Sequence, residues 1–563
     1  MKMKRILVFF SVLFVACLAV LNVSAQPSWA KKASKAVFTL KTFAADGTLL
    51  GSATGFYVGE QGEAVAPYNA FRGASSAVVI DSEGKEWPVT CMLGANETYD
   101  VAKFRVEVKK KSAALTLSPT AVRQGDGVWL LPYREAKKAR QGVVRKVESF
   151  NRDYHYYTIA LAMPENTVGA PLLSEQGQVV AIMQPQQRTN DTLSYAVDAH
   201  FADSLRITGL SINDPALKAI GIKKALPAEL SQALLTLYVA GQSLDSLPYV
   251  QLVDDFIVQF PTAPDGYQYR ARMALSTADF ATAKQYMEQA ISVADNKADA
   301  HYAYSRLIMD KELYMPEKTF DPWSLDVAFD EARQAYELSA QPTYRHQQAQ
   351  VLFAQKKYEE ACQIDLELTQ SSLRSPELFY EASRCRAMLG DSIGQMALLD
   401  SALSTFTKPY LREAAPYLLA RAQVLLNHGR YRDAVLDMND YETLMRSQLN
   451  ANFYYLRHQA DLGGRLFQQA LNDINRAIEL SPKEPLYLAE KASLLVRVGL
   501  YDDVKETARQ LIALEPKQSD GYLFLGLGQC LTNEKAEGLK NLQKARDMGD
   551  PQAEGLIEKY SKK

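Results

Sequence analysis

The sequence predicts two dissimilar parts in one chain, an all-β domain over residues 30–202 and an all-α solenoid over residues 228–563. Three observations carry this. About a dozen short strand patterns separated by turn residues fill the first part, a sandwich or barrel count. Beyond about Ala228 the apolar residues recur with a period of 3.6, the mark of amphipathic helices. Within that second part Phe467 and Tyr501 lie 34 residues apart, as do Pro482 and Pro516, so the helices come in repeating pairs.

In chain order, Ala36–Leu40 leads through the turn Asp46-Gly47 into Gly55–Val58, and Glu60-Gln61-Gly62 turns into Ala64–Ala66. Further strands read at Ala77–Ile80, Trp87–Met92, Val101–Val108, Gly127–Leu131, Gln141–Ser149, Tyr154–Ala162, Val179–Met183 and Leu193–Val197. The stretch Asn166-Thr167-Val168-Gly169-Ala170-Pro171-Leu172 reads as a sharp turn into a hydrophobic strand, followed by a hairpin at Glu175–Gly177. A glycine and a proline so placed mark backbone that bends tightly against something else, the setting of many catalytic loops.

These residues resemble the trypsin-like serine peptidases, especially the bacterial Deg-type branch. The turn at Asn166–Leu172 is similar to the family's Gly-Asn-Ser-Gly-Gly-Pro-Leu nucleophile loop, with Val168 at the nucleophile's place. Ser52–Tyr57 resembles the Gly-Ser-Gly-Phe strand. Gly62–Phe71 resembles the strand that ends in Thr-Asn-Tyr-His-Val-Val, with Asn69 at the histidine's place. Tyr99–Phe104 resembles the Asp-Leu-Ala-Val-Leu strand and puts Asp100 at the family's aspartate. Gln124–Trp129, Gly142–Val144 and Ser194–Val197 resemble segments of the second barrel. The resemblance implies a chymotrypsin-like double barrel whose triad has become Asn69, Asp100 and Val168.

The mechanism of that family needs a hydroxyl to attack, an imidazole to take its proton and a carboxylate to orient the imidazole. Valine has no nucleophilic atom, and an asparagine amide is no base near neutral pH. The amides of the oxyanion loop, Asn166 to Gly169, are all that would remain, worth about 10³–10⁴-fold over water without a triad. An inactive peptidase domain is therefore expected, with no metal and no cofactor. Asp100 is expected to cap a turn, Thr167 precedes the nucleophile position without a base, and His155 and His200 read as strand and strand-end residues.

The chain of 563 residues has a formal net charge of −2, which gives no basic field for nucleic acid. Residues 1–25 read as a signal peptide: Lys2, Lys4 and Arg5, an apolar run from Ile6 to Leu21, then Val23-Ser24-Ala25 before Gln26. Export to the periplasm or the exterior is expected, with cleavage favoured over lipidation at Cys17 and with no membrane span left afterwards. Cys91, Cys362, Cys385 and Cys530 are too scattered for a disulfide framework or a zinc knuckle and read as buried small hydrophobes, with one Cys362–Cys385 bridge as the alternative.

Residues 203–227 read as a linker punctuated by Pro215 and Pro227. Beyond it, Tyr431-x-x-Ala434, Phe467-x-x-Ala470, Phe280-x-x-Ala283, Tyr358-x-x-Ala361 and Tyr522-x-x-Leu525-Gly526 resemble the tetratricopeptide repeat (TPR) signature, in about nine helix pairs. Stacked pairs make a groove from their first helices. The residues expected to face it are Gln268, Arg272, His346, Gln350, Gln423, Asn427, Tyr455, Gln459, Ser493 and Arg497. The reading is an exported scaffold that binds protein or peptide through the TPR groove beside a non-cleaving peptidase domain. An active serine peptidase with an atypical site and a purely structural scaffold are the alternatives.

Overall fold

The computed structural model describes residues 26–134, 138–150, 153–186, 192–242 and 246–562. The expected signal peptide and Cys17 lie outside them. Among the described residues twelve strands are formed: β1 (Val37–Phe43), β2 (Leu49–Tyr57), β3 (Glu63–Ala66), β4 (Ser76–Ile80), β5 (Glu86–Asn96), β6 (Val101–Val106), β7 (Gly127–Leu130), β8 (Arg140–Phe150), β9 (Tyr154–Ala160), β10 (Pro171–Leu173), β11 (Val179–Met183) and β12 (Leu193–Asp198). They close into two antiparallel barrels, ordered β1-β2-β3-β6-β5-β4 and β10-β11-β12-β9-β8-β7.

Each barrel follows from side-chain alternation and from its turns. Along β1 and β6 the inward residues Phe38, Leu40, Ala102, Phe104 and Val106 are buried in the first barrel, while Val37 and Val101 point the other way. Those two join Phe56 and Val65 in an apolar cluster with Trp129, Leu131, Leu173, Val179, Ile182 and Val197 of the second barrel, so the barrels are welded back to back. Gly62, at φ +88°, lets the β2–β3 turn lie on Val106, where a Cβ would come within 2.2 Å of the carbonyl oxygen.

Residues 203–227 are not a free connector. Ala216, Leu217, Ile220 and Ile222 complete the core of the first barrel. Met92 donates to the Lys223 carbonyl at 2.8 Å and accepts from the Ala225 amide at 2.9 Å, which extends the sheet edge.

Among the described residues nineteen helices follow: α1 (Leu230–Ala240), α2 (Ser246–Gln259), α3 (Pro264–Ser276), α4 (Phe280–Val293), α5 (Lys297–Tyr314), α6 (Leu325–Leu338), α7 (Pro342–Ala354), α8 (Tyr358–Leu368), α9 (Pro376–Met388), α10 (Ser392–Ser404), α11 (Ala415–Asn427), α12 (Tyr431–Met445), α13 (Ala451–Gly463), α14 (Phe467–Leu480), α15 (Pro485–Val498), α16 (Tyr501–Leu514), α17 (Ser519–Leu531), α18 (Lys535–Asp547) and α19 (Ala553–Ser561). From α5 onward each packs on the next. The small residues Ala361, Ala434 and Ala470 have no exposed surface and set the close approach of neighbouring helices. Among the described residues no helix is long and apolar enough to cross a membrane. Cys362 and Cys385 are buried free thiols, while Cys91 and Cys530 are only partly covered.

The chain divides into two compact units. One runs to Ala274 and takes in Thr282–Val293; the other holds Leu275–Ala281 and everything from Ala294. The boundary expected at 227/228 thus falls inside the first unit. There Gly209 donates to Gln232 Oε1 at 3.0 Å, and Lys223 pairs with Asp255 at 2.6 Å.

Candidate functional site

Three connections carry the residues expected at the triad. Strand β3 runs through Pro67 into a single 3-10 turn, Tyr68–Ala70, that presents Asn69. The β5–β6 turn ends in Asp100, held at φ 50°. The β9–β10 connection supplies Asn166 to Ala170.

Asp100 and Asn69 are brought together. The carboxylate, 7% exposed, accepts the Asn69 backbone N–H on Oδ1 at 2.7 Å, so it caps the Tyr68–Ala70 turn. Burial pushes its pKa up, and the hydrogen bonds from the Asn69 backbone and side chain and the Tyr68 backbone offset only part of that. The neighbouring Tyr99 ring stacks on Phe201 with centroids 3.7 Å apart and fixes the turn that carries Asp100.

The β9–β10 connection is bound to the first barrel by two hydrogen bonds. Thr54 donates its N–H to the Val168 carbonyl at 3.0 Å and its hydroxyl to the Asn166 carbonyl at 2.7 Å. Gly169, at φ +84°, closes the turn by donating to the Met183 carbonyl at 2.9 Å. A Cβ there would stand 2.1 Å from the Thr54 carbonyl oxygen and 2.5 Å from Pro67 Cδ. Gly169→Ala is expected to destabilise the barrels by about 2–4 kcal/mol, from a disfavoured φ plus that collision. A thermal midpoint equal to that of the wild type would show that the turn does not have this geometry.

Asn166 is exposed in the left-handed region at φ 59°, and Val168 is half-buried. Among the described residues the Asn166, Thr167 and Val168 amides make no backbone hydrogen bond. The Thr167 hydroxyl is buried and donates to the Pro164 carbonyl at 2.6 Å, so it is occupied within its own turn. Beside this turn lies a cavity of about 540 Å³ lined by Thr39, Thr54, Tyr133, Asn166, Thr167 and Val168 among others. Asn69 and Asp100 do not line it.

One constellation escaped the sequence reading. His155 and His200 converge on Asp198, which is 2% exposed. His155 Nδ1 lies 3.3 Å from Oδ2 and His200 Nδ1 2.6 Å from Oδ1, with Tyr157 reaching Oδ2 at 3.5 Å. The His200 ring also contacts the Ser118 carbonyl. The only sequence signal was the i, i+2 spacing of Asp198 and His200 at the end of β12.

The residues expected in a groove fare unequally. Arg272, Gln423, Asn427, Gln459, Ser493 and Arg497 are exposed; Gln268, His346, Gln350 and Tyr455 are half-buried. Several are occupied by neighbours: Gln423 donates to Asn427 at 3.1 Å, Gln459 to the Tyr455 hydroxyl at 2.8 Å, and His346 meets Glu381 of α9.

Residues 53–182, which span this site, match the family model of the trypsin-like peptidase domain. No curated protein matches the chain.

Proposed function

We propose that a trypsin-like peptidase domain that has lost its chemistry is joined here to TPR-type helices, and that the protein is an exported, non-cleaving scaffold that binds other proteins. The observation that carries this is the state of the Val168 turn. The barrels, the Gly169 turn and the capped Asp100 are all in place, yet a valine stands where the attack would start and an asparagine where the proton would go. Thr167, the nearest hydroxyl in the turn, is committed to Pro164. The TPR reading rests on the 34-residue recurrence, with Phe467 opening α14 and Tyr501 opening α16.

Fluorophosphonate probes report an activated serine-type nucleophile, so the purified full-length protein is expected to take up no label and turn over no peptide. Stoichiometric labelling would overturn the non-cleaving reading. Its loss in Thr167→Ala would identify a displaced nucleophile, and its survival there a site elsewhere. The binding half is tested by crosslinking in the exporting cell. Partners captured at residues placed on Gln423 and Arg497 are expected; capture only from the barrels would relocate the interface, and capture from neither would leave a purely structural scaffold.

A further inference from the structure

Three consecutive helices of the second unit aim one metal-ligating side chain each at a common point. His346 stands on α7, Asp365 on α8 and Glu381 on α9, and one ligand atom from each lies within 4.8 Å of the other two. His346 and Glu381 are already in contact through Nε2 and Oε2. Gln350, one turn beyond His346, steadies the second Glu381 oxygen with a 3.5 Å contact.

Asp365 makes this more than a cluster of polar groups. It is 3% exposed, and its Oδ1 is buried with no hydrogen-bond partner. A buried carboxylate without a cation or donor is costly, so an orphan oxygen at such a place needs a reason. His346, within 4.8 Å of it, is taken by Glu381. A divalent cation would answer both carboxylates at once.

We propose that His346, Asp365 and Glu381 form a mononuclear site for a divalent first-row transition metal. One imidazole nitrogen and two carboxylate oxygens are the donor set of zinc, manganese, cobalt or iron(II), and they match neither copper(I), which takes sulfur, nor calcium, which takes six to eight oxygens. Ligands of one such ion stand about 3–3.5 Å apart, so binding would part the His346–Glu381 contact and admit the ion between them, with Asp365 within 4.8 Å of both. The cation would sit between His346 and Glu381 and tie α7, α8 and α9 together. Their side chains remain 24% and 29% exposed, so one side of the ion stays open to water or to a carboxylate from outside. The proposal stands apart from the binding role above and does not depend on it.

The test uses full-length protein stripped with a chelator and titrated with Zn²⁺ and Co²⁺ by calorimetry and visible spectroscopy. One ion per chain is expected, with no thiolate-to-cobalt charge-transfer band, because Cys362 and Cys385 are not among the ligands. Asp365→Asn and His346→Ala should each weaken binding by about 100-fold or more, and His155→Ala, at the other histidine cluster, should leave it unchanged. Asp365→Asn keeps the volume and removes a buried charge, and its circular dichroism is expected to match the wild type. Absence of stoichiometric binding, full affinity in Asp365→Asn, loss in His155→Ala, or a thiolate band would each overturn the assignment.

Discussion

Replacing Arg457 by methionine is expected to cost the helical region about 3–5 kcal/mol, the usual penalty for stripping one partner from a buried ion pair. Arg457 lies on α13, and its guanidinium grips Asp473 of α14 with two bonds, Nε to Oδ2 at 2.7 Å and Nη2 to Oδ1 at 2.8 Å. Its remaining arm reaches back to α12, at 2.9 Å from Asn439 Oδ1 and 2.6 Å from Glu442 Oε2. One side chain thus pins three successive helices. Methionine keeps an aliphatic stem but removes the guanidinium that lies over the Phe453 and Tyr454 rings and leaves Asp473, 6% exposed, without its cation. Because a repeat array unfolds piecewise, the cost is best read as the opening free energy of α12–α14 amides in hydrogen exchange. Adding Asp473→Asn should recover much of the loss, since removing both charges costs less than orphaning one. A loss under about 1 kcal/mol, or no recovery in the double variant, would show that the pair does not hold these helices.

How much of this was legible in the sequence depended on how local each signal was. The strands were legible, because alternation and glycine turns act within a few residues: Val179–Met183 forms as read, and the other strands shift only at their ends. The meeting of Asn69 with Asp100 followed from the order of motifs along the chain. The hidden core of residues 203–227 did not, because Ala216 and Leu217 lie on a single helical turn, Pro215–Lys218, too short for its period to stand out, and with Ile220 and Ile222 they are placed by the barrel they cover. His155 and Asp198 are 43 residues apart and meet only because β9 pairs with β12. The contact of His346 with Glu381 was not legible either, because the two residues sit on different helices. A signal for the buried pairs was present: Arg421 and Asp437 recur 36 residues on as Arg457 and Asp473, and both pairs are bidentate in the structure.

Asp461→Asn is expected to stabilise the same helices, and only above about pH 5. Asp461 is 1% exposed on α13, and neither carboxylate oxygen has a partner. Burial, with the charge of Asp473 added, pushes its pKa up to about 7 against the partial pull of Arg457. The sign follows from proton counting. Below the unfolded pKa near 4 both states carry the proton and nothing is lost. Between about pH 4 and pH 7 the unfolded chain has released it and the folded chain has not, so stability falls by about 1.4 kcal/mol per pH unit and then levels off. The full penalty at pH 8 is on the order of 4 kcal/mol. An asparagine has no proton to lose, and its amide places a donor where the acid has none once ionised. The variant should therefore match the wild type at pH 4 and exceed it by a few kcal/mol at pH 8 in α13–α14 hydrogen exchange. A gain of equal size at both pH values would trace the effect to packing, and a loss at pH 8 would mean that Asp461 is ionised in the folded protein and held there by Arg457.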